Sequence, residues 1–117
     1  MQNADLKNRT KSFALRIIKL YKALPNTVEA QIIGKQILRS GTSIGAQYRE
    51  GTRARSDAEF ISKIESALQE LEETGYWLEL LIDAEIIGEN KLKDLCREVE
   101  ELTAILVTSV KTVKMKR

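Results

Sequence analysis

The chain has 117 residues, which is the length of one ordinary domain, and no apolar run in it is long enough to cross a membrane. Only 5% of the side chains are aromatic and there is one proline, a composition that favours helices over a strand-rich sandwich with many turns. The net charge of +2 conceals an asymmetry, since residues 1–55 hold 11 cations against 3 acids and residues 56–110 hold 4 against 14.

The first two predicted helices are separated by the only proline. Apolar residues recur at three- and four-residue steps near the start of the chain and predict a helix over about residues 5–24. Pro25 ends this helix because its ring cannot continue the helical hydrogen bonds. Thr27 is a suitable N-cap, and we expect a second helix over about residues 27–54.

The segment RSGTSIGAQYREG, residues 39–51, has the small residues of a phosphate-binding loop, but the helical phase of its apolar residues continues without a break. No predicted strand precedes it, and the Gly-Lys-Ser/Thr ending of such loops is absent. We therefore predict continuous helix here. Gly41 and Gly45 then lie on its inward side, where the missing side chains let another helix approach closely.

The third and fourth predicted helices carry the clearest apolar repeat in the chain. Ser56 opens the third with the spacing of a capping box, and the repeat extends this helix over about residues 56–87. Gly88 separates it from a fourth helix over about residues 90–113. Short connections between long amphipathic helices predict one domain, residues 1–117, with an all-α fold: an up-down-up-down antiparallel four-helix bundle.

Three large side chains of the third helix, Tyr76, Trp77 and Leu80, face away from its apolar repeat. An isolated bundle would leave them exposed, and exposed apolar clusters often mark an interface. A loop or a neighbouring helix that covers them is one explanation. We favour the other, in which copies of the chain associate through these residues.

Catalytic and metal-binding chemistry lacks the residues that it needs. The absence of histidine removes the commonest general base, and the scattered carboxylates have no metal-ligand spacing. Cys96 lies among apolar residues at helical spacing, which favours a buried, inert thiol over a reactive one. We expect no enzyme activity, no cofactor, no metal and no small-molecule substrate. The polar start of the chain has no secretion signal, so we expect a cytoplasmic protein that does not bind membranes.

Four cations of the second helix share a face opposite its apolar residues, within about 80° of one another at 100° per residue. They are Lys35, Arg39, Arg49 and Arg53. Because a guanidinium group is well suited to phosphate, this stripe predicts weakly sequence-specific contact with the backbone of RNA or DNA. Possible extensions of the site are Arg55, Lys114, Lys116 and Arg117. The alternative is that the stripe pairs with glutamates of the third helix or of a neighbouring subunit.

Residues 29–81 carry a family resemblance, in the run EAQIIGKQILRSGTSIGAQYREGTRARSDAEFISKIESALQELEETGYWLELL. This run resembles the four-helix bundle proteins named after open reading frames in bacterial 23S rRNA intervening sequences. That family is similar in fold to the accessory variability protein of diversity-generating retroelements, a pentamer that binds nucleic acid and a reverse transcriptase. The resemblance implies a non-catalytic homopentamer that binds structured RNA or DNA, alongside a reverse transcriptase. A protein–protein interaction scaffold without nucleic-acid binding is the alternative function.

Overall fold

The computed structural model describes residues 3–116, and within this range the chain forms four α-helices joined by short connections. They are α1 (Asn3–Ala23), α2 (Val28–Thr52), α3 (Asp57–Asp83) and α4 (Glu89–Met115). The predicted all-α four-helix bundle is confirmed. The continuous helix predicted through residues 39–51 is also confirmed, because α2 runs through this segment without interruption. Among the described helices, none is long and apolar enough to cross a membrane.

The four helices pack in chain order around an aliphatic core, and α1 closes the bundle against α4. The surface formed by α1 and α2 is therefore on the opposite side of the bundle from the surface formed by α3 and α4. Burial of each large aliphatic side chain stabilises the fold by about 1.5–3 kcal/mol. The largest fully buried apolar side chains are Phe13, Ile17, Ile37, Ile44, Ile64, Leu71, Leu78, Leu81, Leu92, Leu102 and Leu106.

Polar contacts fix how the helices align. The hydroxyl groups of Ser40 and Thr74 are fully buried and share a hydrogen bond of 2.8 Å between α2 and α3. Because an unpaired buried hydroxyl is costly, this pair favours one register of the two helices. Between α1 and α4, the Arg9 guanidinium pairs with Glu98 at 2.6 Å and with Glu101 at 3.0 Å. The Arg9 contacts hold α1 against α4.

The helix starts follow the predicted caps closely. The hydroxyl oxygen of Thr27 accepts a hydrogen bond from the backbone N–H of Ala30, and α2 begins at the next residue after this cap. Ser56 accepts from the backbone N–H of Glu59 at 3.1 Å. The return bond differs from the reciprocal capping box, since the Glu59 carboxylate accepts from the backbone N–H of Arg55 instead.

The end of α3 was predicted wrongly, because α3 stops at Asp83 and does not reach residue 87. Glu85 has a left-handed φ of 59°, and its N–H and the following N–H bond back to carbonyls of the last turn, both at 2.9 Å. These bonds satisfy carbonyl groups that would otherwise lack partners at the helix end. Gly88, the expected stop signal, is the N-cap of α4. The other helix ends lie within two residues of the predicted positions.

Glycines of α2 determine how closely α1 approaches. A Cβ atom at Gly41 would lie 2.8 Å from Cγ1 of the fully buried Ile17, which is closer than real Cβ contacts come. At Gly45 it would lie 3.1 Å from the hydroxyl oxygen of Thr10. Gly34, which the apolar pattern did not single out, also faces α1, with two side chains within 3.0 Å of a Cβ position. α1 therefore packs directly on the backbone of α2.

Candidate nucleic-acid interface

Arg39 differs from the other cations of the predicted stripe because it is neutralised within the chain. Its guanidinium lies 3.5 Å from Glu70 and also bonds to Glu73. The Glu73 carboxylate accepts a further hydrogen bond of 3.0 Å from the indole N–H of Trp77. The Trp77 bond, followed by the Arg39 contact, lowers the pKa of Glu73 and keeps this carboxylate charged. Pairing with α3 glutamates, the alternative interpretation of the stripe, therefore holds at Arg39.

The remaining stripe residues, Lys35, Arg49 and Arg53, form no ion pair with any described residue. Lys35 and Arg53 are exposed, and Arg49 is half-buried. Arg55 is also exposed, and its side chain pairs with no acid in the described part of the chain, although its backbone N–H is bonded to Glu59. Three of the four stripe cations thus remain available to an external anion.

Arg49 lies in a groove between α1 and α2, and Lys11 of α1 lines the same groove. The rest of the lining is small: Thr10, Ala14, Thr42, Gly45 and Ala46. Lys7 and Lys22 lie four residues before and eleven residues after Lys11, so helical periodicity places all three on one face of α1. These lysines were not predicted as site residues, because the spacing within α2 does not show which helix packs beside Arg49.

Six cations that form no ion pair within residues 3–116 thus share one side of the bundle, and we call this set the cationic face. It consists of Lys7, Lys11, Lys22, Lys35, Arg49 and Arg53. The acids of residues 1–55 do not neutralise the cationic face. Glu50 pairs with Lys63 of α3 at 2.7 Å, and Asp5 and Glu29 fall on other sides of their helices. From Lys7 to Lys22 the face extends about 22 Å along α1 at 1.5 Å per residue. This length is comparable to about six nucleotide steps of one strand.

A second surface feature lies where α2 packs against α3. Tyr76 is exposed, with 53% of its surface accessible, and its ring centroid lies 5.1 Å from that of Trp77. Leu80 and Trp77 are half-buried, and the Trp77 ring packs against the core, so Trp77 is less exposed than Tyr76. The reason is that the Trp77 ring lies over its own bundle while its N–H bonds to Glu73. Ile32 of α2, with 59% of its surface exposed, was not predicted.

Along the bundle axis, helical spacing places Ile32 and the three α3 side chains on the same side of the Arg39–Glu73 pair. Ile32 is two turns before Arg39 on α2, whereas Trp77 and Leu80 are one and two turns after Glu73 on the antiparallel α3. These side chains form what we call the apolar patch: Ile32, Tyr76, Trp77 and Leu80. The patch joins α2 to α3, whereas the cationic face joins α1 to α2.

The remaining candidate residues do not form a single cluster. Lys114 lies 3.5 Å from Glu65 and Lys116 is exposed, whereas Arg117 lies outside the described residues. Cys96 is half-buried, and burial, followed by the nearby charges of Glu100 and Glu89, raises the pKa of its thiol. Within residues 3–116, no group of three or more His, Cys, Asp or Glu side chains is placed to hold a metal ion.

Comparisons with known proteins place the chain among its relatives. A family model described as "23S rRNA-intervening sequence protein" matches residues 2–108. The fold is similar to a crystal structure from Bacteroides thetaiotaomicron, described as a protein with unknown function from the S23 ribosomal protein family, with a TM-score of 0.88 and 43% identity. The alignment covers 95% of this chain and 99% of that one. A search of curated proteins finds no match.

Proposed function

The chain belongs to the 23S rRNA-intervening sequence protein family, and we propose that it is a non-catalytic protein that binds structured RNA through the cationic face. The observation that carries this proposal is the set of six cations from two adjacent helices, which form no ion pair with any described residue and have no described acid without a partner among them. An isolated protein gains little from such a cluster, since like charges repel. A polyanion supplies the missing partners and releases its own counterions on binding.

The chemistry of the face favours contact with the phosphate backbone over reading of bases. At Lys11 and Arg49 the cationic side chains project beside a floor of small residues, and the described residues that line this groove include no aromatic ring to stack on an unpaired base. Phosphate contacts position a nucleic acid but carry no direct sequence information. We therefore expect structured RNAs of different sequence to bind with similar affinity, with duplex DNA as a weaker or equal competitor.

Two arginines of α2 provide a matched test of the face. Arg49→Gln removes a cation that lines the α1–α2 groove, whereas Arg39→Gln removes one already paired with Glu70 and Glu73. We expect Arg49→Gln to raise the Kd for a structured RNA by about tenfold, equivalent to about 1.4 kcal/mol. Arg39→Gln is expected to change it by less than about threefold. The measurement is fluorescence anisotropy with a labelled RNA hairpin at low salt.

Both variants must first show wild-type circular dichroism and assembled mass. Equal losses in the two variants would contradict the assignment of the site to the cationic face. Failure of the wild type to bind RNA or DNA at low salt would favour the alternative function, a protein–protein scaffold.

The proposal includes assembly into a homopentamer through the apolar patch. Exposed Tyr76 and Ile32 support it, because surface apolar clusters of this kind usually mark protein interfaces. A ring would repeat the cationic face, so a contact that is weak in one subunit would gain affinity through avidity. From the resemblance of the family to the retroelement accessory protein, we also propose that such an assembly presents structured RNA to a reverse transcriptase.

Light scattering on the purified protein is expected to give about five times the chain mass of 13.3 kDa. Tyr76→Ala combined with Leu80→Ala should lower this mass, since large side chains at the centre of an interface dominate its energetics. Trp77→Ala is a less selective variant, because the Trp77 ring also packs on its own bundle. A monomer at micromolar concentration would contradict the assembly.

A further inference from the structure

A shallow groove runs between α3 and α4, on the side of the bundle opposite the cationic face. Its lining is mainly apolar and consists of Leu68, Leu71, Gly75, Val99, Thr103 and Val107, with Glu72 at the edge. Val99 is buried, whereas Leu68, Thr103 and Val107 are half-buried. The groove therefore presents an apolar floor that the other described residues leave uncovered.

Gly75 differs from the glycines of α2 that pack against α1. It lies in the interior of α3, where glycine destabilises a helix relative to alanine. A Cβ atom at Gly75 would meet only Cγ1 of Val99, at 3.5 Å, which is ordinary contact. Packing within this chain thus does not require a glycine here. At Gly41, in contrast, α1 packs directly against the backbone of α2 and leaves no room for a Cβ atom.

Acidic side chains border the groove on both helices. Glu79 lies seven residues after Glu72 on α3, and Glu100 lies seven residues before Val107 on α4, so each shares the face of its groove residue. Glu72, Glu79 and Glu100 are exposed and form no ion pair with any described residue. Lys93 lies seven residues before Glu100 and shares its face, so the three acids leave a net negative charge that opposes a nucleic acid and complements a cationic partner.

We infer that the α3–α4 groove binds an amphipathic helix of a partner protein, with apolar side chains over Gly75 and Lys or Arg residues facing Glu72, Glu79 and Glu100. In helix-in-groove recognition, the bound helix contributes apolar side chains at positions i, i+3, i+4 and i+7. This length of helix matches the seven-residue distance from Leu68 to Gly75 along the groove. Binding here is independent of RNA binding, because the two surfaces lie on opposite sides of the bundle.

The test uses a labelled synthetic helix of about 18 residues, with a leucine stripe and lysines on its remaining faces, and a control helix with glutamate in place of lysine. Fluorescence anisotropy should show binding of the lysine peptide and much weaker binding of the glutamate peptide. Gly75→Leu fills the groove and should raise the Kd of the lysine peptide by about tenfold or more. Arg49→Gln should leave this Kd unchanged, which separates the groove from the RNA site.

Charge variants keep the inference testable if Gly75→Leu does not fold. Glu72→Gln/Glu79→Gln should weaken peptide binding, whereas the charge-matched control Asp5→Asn/Glu29→Gln, on α1 and α2, should not. Equal binding by wild type and both groove variants would overturn the inference. A loss of assembled mass in folded Gly75→Leu would also overturn it, because the groove would then hold a second copy of the chain.

Discussion

Gly41→Ala is expected to lower the free energy of unfolding by about 1–3 kcal/mol, although alanine is the better helix former. The added Cβ atom would lie 2.8 Å from Cγ1, 3.0 Å from Cγ2 and 3.3 Å from Cβ of Ile17. Ile17 is fully buried and its Cβ atom is fixed to the α1 backbone, so a rotamer change cannot remove all three contacts. The two helices must separate, and the separation disrupts packing in the core.

Gly75→Ala is the matched control, because it makes the same substitution in a helix interior where a Cβ atom has room. We expect it to be neutral or to stabilise the protein by up to about 1 kcal/mol. Gly45→Ala should destabilise less than Gly41→Ala, since its nearest contact is 3.1 Å. Urea denaturation at one protein concentration measures all three variants. If Gly41→Ala stabilised the protein as much as Gly75→Ala, the close-packing account of α1 and α2 would be wrong.

RNA affinity is expected to depend steeply on salt. If four cations of the face each neutralise one phosphate, the slope of log K against log salt is about −3.6 on duplex and about −2.8 on single strands. A rise from about 50 to 200 mM salt should then weaken binding by about 50- to 150-fold. Binding that changed by only a few-fold over this range would indicate contacts other than phosphate neutralisation.

The close packing of α1 on α2 connects the stability of the fold to the candidate site. Because glycines bring α1 against the α2 backbone, Lys11 and Arg49 line one groove across a floor of small side chains. A variant that separates the helices would therefore also widen the cationic face. We expect Gly41→Ala to lower RNA affinity even though residue 41 is buried.

Helical phase explains which features could be predicted from the sequence. The apolar residues around Gly41 and Gly45 keep one phase, and that phase distinguishes a helix from a phosphate-binding loop. The end of α3 could not be predicted in the same way. Its left-handed position is occupied by Glu85, and glutamate adopts this conformation far less readily than glycine.

The candidate site was only partly predictable, because it depends on the neighbours of α2. Arg39 and Arg49 lie on the same outer face of one helix, yet Arg39 reaches glutamates of α3 while Arg49 lines the groove with α1. Residue spacing within α2 gives their common direction but not the helix that packs on each flank. The lysines of α1 and the partial burial of Trp77 were missed for the same reason.

The most direct test of phosphate binding by the cationic face is the salt dependence of RNA binding by wild type and by Lys11→Gln/Arg49→Gln. Losing two phosphate contacts should make the slope shallower by about 1.4–1.8. The charge-matched control Lys91→Gln/Lys93→Gln, on exposed positions of α4, should keep the wild-type slope. Equal slopes in wild type and Lys11→Gln/Arg49→Gln, with both proteins folded and assembled alike, would contradict backbone binding through this face.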